Sequence, residues 1–439
     1  MTEASADYDV LVCGAGVAGL AAARGLGDLG LRVLLLDKQR APRAVAKGEV
    51  LQPGALRVLR RWGTEQLLRQ RGGVGLDRLV VRSREGEALM ALDYGRLPEG
   101  DRGLLAHDHR EILTALTEGL GPCVEIRRGT LVREALRAAD GRVSGLVLAG
   151  GEGGDDRVVR APLVVAADGI SSRLRRAAGI EGRRTDYPHR LVSVELTAAG
   201  PAPADFSAYL TGRGLRLVYP LPGGRIRLYL QTEPDELRGL GGDAFTEWLA
   251  RAVGQVPGLA GLAPCLADAA ATRQLFSVSR YLAGRFTVPG LALVGEAGYA
   301  VHPMAAQGMN TAITSAAALA EQLARLLPAT ATVDAAARPR LEAATVDAAL
   351  AAYQAERRPF LASAARTSAN AARMVTDLAW PGRVIGRRAV RCTGANPRLL
   401  HTVTHNMAGL GPLPLTPLDR LQQIGLLPDP RAHRVPVNS

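Results

Sequence analysis

Residues 8–38 read YDVLVCGAGVAGLAAARGLGDLGLRVLLLDK, and this stretch decides the fold of the chain. Residues 8–13 form a short apolar run that predicts a buried parallel strand. Gly14, Gly16 and Gly19 follow in a GxGxxG pattern. Such a turn lets the backbone approach a pyrophosphate that lies at the N-terminus of the next helix.

The second strand of this unit ends in a carboxylate. Residues 31–36 are apolar and lead directly into Asp37, about 20 residues beyond the glycines. A carboxylate at that place can accept hydrogen bonds from a ribose diol. Strand, glycine turn, helix, strand and acid together predict a dinucleotide site. The pattern does not separate NAD from FAD, and a purely structural βαβ unit is the alternative.

Size and charge restrict the class of protein. A chain of 439 residues, 47% hydrophobic and 22% charged, predicts a globular protein of two domains. The formal net charge is +12, and the base is nearly all arginine because Lys38 and Lys47 are the only lysines. The arginines are scattered, without a long basic run, so we expect no nucleic-acid partner. Anionic cofactors also benefit from this charge.

The cysteines and apolar segments point to a cytoplasmic protein. Cys13, Cys123, Cys265 and Cys392 are far apart and form no CxxC pair. This spacing predicts neither a metal site nor a disulfide framework, and it fits a reducing compartment. The polar start MTEASADYD does not resemble a signal peptide. No uncharged apolar run reaches 18 residues, so we expect no membrane span.

A second kind of pattern covers residues 190–231. The segments LVSVELTA, FSAYL, GLRLVYPLP and RIRLYLQT alternate and are separated by Pro and Gly turns, which predicts an antiparallel sheet. Buried-strand patterns at residues 163–167 and 289–298 return to the first unit on either side of it. We therefore expect an α/β fold in which an antiparallel-sheet domain interrupts a Rossmann-like domain, with helices at the C-terminus.

The predicted domain boundaries follow from these changes of pattern. Residues 1–180 and 285–375 form the discontinuous cofactor domain, and residues 181–284 form the antiparallel-sheet domain. Residues 77–110 contain strands that can pack with the second domain. Residues 376–439, rich in Pro and Gly, are expected to form short helices and an irregular tail.

Three further segments carry motifs. HREIL, residues 109–113, opens a helix, and AADGISSRLR, residues 166–175, is a strand followed by Asp-Gly and a helix start. LALVGEAGYAVHPMAAQGMNTAI, residues 291–313, is a strand, a glycine turn, a loop and a small-residue helix. Backbone N–H groups at that last helix N-terminus suit an anion. An ordinary capped helix is the alternative for this segment alone.

Taken in order, these motifs resemble those of the class A flavoprotein monooxygenases, the family of para-hydroxybenzoate hydroxylase. The resemblance covers most of residues 7–360. It rests on GxGxxG, on Arg110 at the head of a helix, on Asp168 with the glycine after it, and on Gly295 with the segments after it. It implies bound FAD, a transient NADPH or NADH co-substrate and O₂.

The resemblance also assigns roles to residues of this chain. It implies that the flavin carries the chemistry, so no catalytic side chain is assigned. The implied cofactor contacts are Gly14, Gly16, Gly19, Asp37, Lys38, Arg110, Asp168, Gly295, Glu296, Gly308, Met309 and Asn310. The candidate substrate contacts are Tyr219, Tyr229, Gln231, Tyr299, His302 and Pro303.

This chain departs from the family pattern at two places. Glu296 stands where the family usually has Asp, and Gly298 and Tyr299 stand where it commonly has Ala-His. Residues 47–56 and 302–310 are similar to segments of squalene epoxidases and ubiquinone-pathway hydroxylases. That similarity implies a lipophilic small-molecule substrate, aromatic or polyene.

The implied activity is an FAD-dependent monooxygenase that hydroxylates or epoxidises such a substrate. A flavin halogenase is disfavoured because its WxWxIP motif is absent from the sequence. Two alternatives stay open. One is a non-catalytic protein that binds FAD or sequesters a product, and the other is a flavin-dependent reductase of prenyl chains.

Overall fold

The structure is a computed structural model that describes residues 6–42, 45–150, 154–197, 203–327, 341–377 and 379–435. Its strands are β1 Val10–Cys13, β2 Val33–Asp37, β3 Val50–Leu51, β4 Val74–Leu76, β5 Arg78–Arg82, β6 Ala88–Asp93, β7 Leu104–Ala106, β8 Val124–Arg128, β9 Val132–Arg137, β10 Val143–Leu148, β11 Arg157–Arg160, β12 Leu163–Ala166, β13 Gly182–Thr197, β14 Phe206–Thr211, β15 Gly214–Leu221, β16 Arg225–Thr232, β17 Gln274–Ala283, β18 Thr287–Val288, β19 Leu291–Leu293 and β20 Tyr299–Ala300.

The described residues also form α-helices. They are α1 Val17–Gly27, α2 Pro53–Arg61, α3 Thr64–Gln70, α4 His109–Glu118, α5 Arg173–Ala177, α6 Gly242–Gly254, α7 Gly308–Ala324, α8 Ala343–Thr376, α9 Trp380–Gly394, α10 Pro397–Ala408 and α11 Pro417–Gln423. Short 3₁₀ turns at Gly295–Ala297 and Pro303–Ala305 lie near the ends of the last strands.

The N-terminal motif lies in a six-stranded sheet of order β18-β19-β12-β1-β2-β8. Its strands are parallel except for the β18–β19 pair. Strand β1 is buried along its whole length, as expected for a parallel strand covered on both faces. Its neighbours β2 and β12 bring Asp37 and residue 167 to the same edge as the glycine turn. The predicted α/β fold with a Rossmann-like unit is confirmed.

The antiparallel sheet contains more strands than the segment 190–231, from which it was predicted. Eight strands run in the order β20-β17-β13-β16-β15-β14-β5-β6, and β14–β5 is the parallel pair. Residues 77–110 contribute β5 and β6 to it. Because side chains alternate along each strand, one face packs on α6 and the other on a separate apolar cluster. The boundaries between domains stay a prediction.

The C-terminal segment contains more helix than its composition indicated. Residues 376–439, expected as short helices and an irregular tail, include α9 and α10 of 15 and 12 residues. Apolar side chains of α9 and α10, among them Val390 and Met407, join the cluster on the eight-stranded sheet. Burial against that sheet, which local composition does not report, explains the additional order.

Candidate active site

A cavity of about 400 Å³ lies where the glycine edge of the six-stranded sheet meets the eight-stranded sheet. Its location matches the rule that open α/β sheets bind ligands beyond the carboxyl ends of their strands. Its lining is Gly16, Val17, Ala18, Val45, Lys47, Gly48, Glu49, Val50, His109, Ala167, Gly169, Phe206, Leu217, Tyr219, Tyr229, Glu296, Val301, Pro303, Ala306, Gly308, Met309 and Ala312.

Two glycines of the GxGxxG motif are required by packing. Gly14 has φ +106°, and a Cβ there would lie 2.4 Å from the carbonyl oxygen of Ala167. A Cβ on Gly19 would lie 1.7 Å from the carbonyl oxygen of Gly14. Any side chain at these positions would separate β1, α1 and β12, so the tight turn depends on both glycines.

Three other glycines face open space instead. A Cβ built on Gly16, Gly169 or Gly308 meets no described atom within 4 Å, and all three residues line the cavity. We call Gly14, Gly16, Gly19, Gly169 and Gly308 the glycine cradle. Side chains at the three open positions would fill the space that a ligand needs.

Two helices begin at the glycine cradle. The residues before α1 and α7 are Gly16 and Gln307, and neither helix has a side-chain cap among the described residues. The first N–H groups of each helix are therefore available to a ligand. Paired helix N-termini beside open glycines suit an anionic dinucleotide, with one helix for phosphate and the other for a second anionic group.

Asp37 and Asp168 hold the backbone at the edges of the cradle. Asp37 accepts hydrogen bonds from the backbone N–H groups of Ala15 and Gln39, both at 2.7 Å. Asp168 accepts from Arg173 N at 2.8 Å at the start of α5. Its other oxygen, Oδ1, is buried with no hydrogen-bond partner among the described residues. That oxygen can accept from a ligand.

Lys38 and Arg110, the two basic residues among the implied cofactor contacts, are exposed. Neither belongs to the lining of the cavity. His109, the neighbour of Arg110, does line the cavity and lies 3.1 Å from the carbonyl oxygen of Gly48 through its Nδ1. The motif HREIL predicts a cofactor contact at Arg110, whereas the structure has its neighbour His109 at the cavity.

Glu296 faces the cavity and pairs with a lysine from a distant segment. Its Oε1 accepts a hydrogen bond from Lys47 Nζ, and both residues line the cavity. Gly295 holds the turn before it with φ +63°, where a Cβ would lie 2.5 Å from Cβ of Ala18 in α1. The longer acid of this chain thus lies beside the N-terminus of α1.

Two neighbouring residues at the start of α7, Met309 and Asn310, have different surroundings. Met309 lines the cavity, whereas the buried side chain of Asn310 points to the protein. Asn310 Oδ1 accepts from Gln52 N at 2.7 Å, and its Nδ2 donates to the carbonyl oxygens of Ala306 and Val50. Asn310 therefore ties α7 to the strand β3 and to the preceding loop.

Opposite the cradle, aromatic side chains of the eight-stranded sheet form a continuous surface. The rings of Phe206 and Tyr219 stack at 5.0 Å with an angle of 8°, and Tyr219 and Tyr229 lie 6.3 Å apart. Leu217 completes the lining on β15. We call Phe206, Leu217, Tyr219 and Tyr229 the aromatic wall.

A buried ion pair supports the aromatic wall, and its carboxylate residue, Glu49, also lines the cavity. Glu49 accepts a hydrogen bond from the Tyr219 hydroxyl at 2.7 Å, and its carboxylate takes two bonds from Arg227 at 2.8 and 3.0 Å. Burial raises the pKa of Glu49, and the Arg227 guanidinium opposes that change. Burial also raises the pKa of Tyr219 well above its ordinary value, so the hydroxyl stays protonated and donates.

This ion pair was missed in the sequence, although one signal was present. The strand RIRLYLQT carries Arg225 and Arg227 at alternate positions of an otherwise apolar run. Arg227 is buried and Arg225 is partly buried on the same face of the strand, so both need carboxylates nearby. The structure supplies Asp108 to Arg225 and Glu49 to Arg227, while Glu195 accepts from both.

Three of the six candidate substrate contacts line the cavity: Tyr219, Tyr229 and Pro303. Gln231 lies on the same face of β16 but bonds to the carbonyl oxygen of Thr376 at 2.9 Å and to Leu215 N at 3.1 Å. Tyr299 is buried in the core of the six-stranded sheet. Neither Gln231 nor Tyr299 reaches the cavity.

His302 is also buried beside the cavity and does not line it. Its Nδ1 accepts a hydrogen bond from Met304 N at 3.1 Å, and its Nε2 lies 3.0 Å from Nε2 of His189. A neutral His302 therefore carries its proton on Nε2 and donates it to His189. Burial lowers the pKa of His302 to about 3, which keeps the ring neutral.

The family of the chain is shown by comparison with known proteins. Residues 7–368 match the FAD binding domain family, and the chain belongs to it. It is 32% identical over 316 residues to 6-methylpretetramide 4-monooxygenase of Streptomyces rimosus, covering 71% of this chain and 74% of that protein. It is 28% identical over 326 residues to ubiquinone hydroxylase UbiL of Rhodospirillum rubrum, covering 72% of each.

Solved structures agree. The crystal structure of PqsL, a probable FAD-dependent monooxygenase from Pseudomonas aeruginosa, superimposes with a TM-score of 0.71 at 27% identity. The match covers 84% of this chain and 97% of PqsL. The protein is therefore a flavin-dependent monooxygenase with FAD as its cofactor, as the sequence predicted. NAD(P)H is the co-substrate typical of this family.

The open glycines, the uncapped N-termini of α1 and α7 and the unpartnered Asp168 oxygen fit FAD.

Two further findings concern membrane spans and metal sites. Within the described residues, no helix is long and apolar enough to cross a bilayer. The same residues include no cluster of three or more His, Cys, Asp or Glu side chains suited to a metal.

Proposed function

We propose that this protein hydroxylates an electron-rich aromatic ring of a lipophilic small molecule, with NADPH or NADH as the reductant. The observation that carries the proposal is the aromatic wall, which faces the glycine cradle across one cavity. A flat ring that stacks on Phe206 and Tyr219 would lie between that wall and the turn Pro303–Ala305. Stacked aromatic pairs add about 0.5–1.5 kcal/mol beyond the burial of their area.

The hydrogen bonds of the wall favour an apolar ligand. The Tyr219 hydroxyl donates to Glu49, and the Tyr229 hydroxyl donates to the carbonyl oxygen of Ala46. Both phenol donors are thus used within the protein, and the wall presents ring surfaces and Leu217 to a ligand. A substrate with an extended apolar ring system matches this surface better than a strongly polar one.

The relatives support the same substrate class. One is named for the monooxygenation of 6-methylpretetramide and another for the hydroxylation of ubiquinone. PqsL has been crystallised with 2-aminobenzoylacetate, which shows that a structure of this fold accepts a small molecule. For this chain we propose a ring-containing lipophilic substrate and leave its identity to the experiment below.

The cofactor would lie along the glycine cradle. We propose that its pyrophosphate takes the N-terminus of α1, with Gly14, Gly16 and Gly19, and that its ring takes the N-terminus of α7, with Gly308 and Met309. When bound, FAD supplies the redox chemistry that puts one atom of O₂ into the substrate and the other into water. The protein's own residues hold the substrate ring at the flavin and exclude bulk water from the cavity. We propose that Asp37, Asp168, Gly295, Glu296 and Asn310 shape the cofactor edges, and that Lys38 and Arg110 interact with the cofactor from outside the cavity.

We also propose a cytoplasmic location, because the four cysteines are far apart in the sequence and form no CxxC pair. Cys13, Cys123 and Cys392 form no disulfide among the described residues. Burial raises the pKa of the Cys13 thiol, so it is expected to stay unreactive.

The test combines cofactor and product analysis. Purified protein is reconstituted with FAD and supplied with NADPH or NADH, isotope-labelled O₂ and a panel of phenols, polycyclic aromatics and polyenes. We expect a substrate-stimulated rate of NAD(P)H oxidation and one labelled oxygen atom in an aromatic product. Label in a polyene alone would assign epoxidation instead. A protein that holds FAD and shows no stimulation with any member would favour the non-catalytic alternative.

A further inference from the structure

A second cavity adjoins the candidate active site on the same face of the eight-stranded sheet. It lies between the strands β5 and β6, of which β6 is at the sheet edge, and the helices α8, α9 and α10. Its volume is about 70 Å³, and its lining is mostly apolar. The lining residues that matter here are Leu79, Leu92, Met304, Met374, Val390 and Met407.

Strand register shows that the two cavities share one surface. Phe206 of the aromatic wall pairs directly with Leu79 of β5, and Leu79 pairs with Leu92 of β6. Directly paired residues point to the same face of a sheet. Accordingly, Phe206, Leu79 and Val390 belong to one continuous apolar cluster.

A single turn separates the cavities. In Pro303–Ala305, Pro303 lines the first cavity and Met304 lines the second, and Ala306 returns to the first. The side chain of Met304 is buried between them. Unbranched methionine changes rotamer easily and fits irregular space. A change of the Met304 rotamer would therefore be the shortest way to connect the cavities.

The chemistry of the lining indicates what this space holds. Four of the six methionines of the chain line it: Met90, Met304, Met374 and Met407. Two of the polar lining residues are engaged by the protein, since Asn406 bonds to both backbone groups of Leu413, and Gln423 bonds to Thr393 and Arg420. Thr367 and Asn370 of α8 also line the cavity, whose lining is otherwise mainly apolar. The surface left for a ligand is flexible and apolar, which suits aliphatic hydrocarbon.

We propose that the second cavity is a subsite for an aliphatic chain carried by the substrate whose ring stacks on the aromatic wall. This inference rests on the proposed function and names a feature of the substrate. The chain would leave the ring, pass Met304 and lie between β5, β6 and the C-terminal helices. The methionine side chains must rearrange to admit the chain. The extent of that rearrangement would set the longest chain that the subsite can bind.

The test uses 4-alkylphenols from methyl to octyl as probes and measures Kd by isothermal titration calorimetry on the FAD-loaded protein. Each buried methylene contributes about 0.8 kcal/mol, or roughly a fourfold lower Kd. Wild type should show that gain over the part of the series that enters the second cavity. Ala371→Phe places a ring into this cavity from α8 and should remove the gain, while Kd for 4-methylphenol stays the same.

Ala355→Phe, on an exposed position of the same helix, is the matched control and should keep the wild-type dependence on chain length. Met374→Ala enlarges the subsite and should extend the gain to longer chains, so the test does not depend on the folding of one variant. An unchanged slope in both cavity variants, or no slope in wild type, would overturn the proposal. Retained hydroxylation of 4-methylphenol in Ala371→Phe separates that failure from a failure of the proposed function.

Discussion

The two sides of the active-site cavity are built in different ways. Three residues of the glycine cradle lie within one stretch of six residues, and they act through backbone shape and N–H groups. The aromatic wall depends on Glu49 and Arg227, which are 178 residues apart and act through side chains. A short sequence motif can specify much of a site for a common cofactor, whereas a site for a particular substrate is formed by residues that only the tertiary fold brings together.

The two sides also differ in what they cannot tolerate. The cradle excludes side chains, because a Cβ at Gly14 or Gly19 overlaps backbone atoms. The wall requires partners for buried charge, because Glu49 and Arg227 are 3% and 5% exposed. Changes to the cradle should therefore affect FAD binding, and changes to the ion pair should affect folding first.

The largest effect is expected for the ion pair that supports the wall. Arg227→Met leaves Glu49 buried with the Tyr219 hydroxyl as its remaining donor and should lower the free energy of unfolding by about 3–5 kcal/mol. Urea denaturation of the FAD-free protein measures it. Arg227→Met combined with Glu49→Gln removes the uncompensated charge and should recover part of the loss. Equal stability of wild type and Arg227→Met would mean that the pair does not support the wall.

The next effect tests the cradle. Gly14→Val combines a β-branched residue at φ +106° with contact against the Ala167 carbonyl and should raise the Kd for FAD about 100-fold, or by about 3 kcal/mol. Equilibrium dialysis against FAD measures the change. Gly121→Ala, whose added Cβ meets no described atom within 4 Å, is the control. A Gly14→Val protein that folds and binds FAD normally would refute the role of this turn.

A pH effect is expected at the boundary between the two sides. Because burial lowers the pKa of His302 to about 3 from an ordinary value of 6.5, the unfolded chain binds a proton that the folded protein does not. Stability from this group is complete above pH 6.5 and is lost as pH falls toward 3. At pH 5 the loss is about 2 kcal/mol.

His302→Asn keeps an acceptor near Met304 N and removes the titration. Its unfolding free energy should fall less between pH 7 and pH 5 than that of wild type, by about 2 kcal/mol. His433→Asn, at an exposed position, should follow wild type. His189 and Tyr187 contact the His302 ring and can also titrate. The three proteins are therefore compared at the same pH values and the same salt concentration. Identical pH profiles for all three proteins would contradict the neutral, buried state of His302.

The smallest expected effect separates cofactor binding from folding on the cradle side. Glu296→Ala should weaken FAD binding by about 1 kcal/mol through the loss of a hydrogen-bonding group at the cofactor. The same change should alter the unfolding free energy of the FAD-free protein by less than about 1 kcal/mol, because its partner Lys47 is half exposed. Glu296→Asp should bind FAD nearly as wild type does. Equal affinity in all three proteins would show that Glu296 points away from the cofactor.

Local patterns predicted the turn of Gly14, Gly16 and Gly19, and they predicted the wall only in part. Alternation in the strand RIRLYLQT predicted a sheet, yet Tyr229 and Gln231 share one face and only Tyr229 reaches the cavity. The end of α8 covers Gln231, and no pattern near residue 231 reports that contact. Tyr299 and His302 were likewise predicted as substrate contacts from the motif at residues 291–313. Tyr299 is instead buried in the core of the six-stranded sheet, and His302 is buried against His189.

By itself, the sequence predicted the βαβ unit, its glycine turn and a dinucleotide site. Those features depend on the period of apolar residues and on backbone conformations that glycine alone adopts, and both are properties of neighbouring residues. Only the tertiary structure decided that Glu49 contacts Tyr219, that His109 rather than Arg110 faces the cavity, and that α9 and α10 enclose a second apolar space. Such contacts join segments distant in the chain, and they are selected by packing and by the cost of leaving a buried charge unpaired.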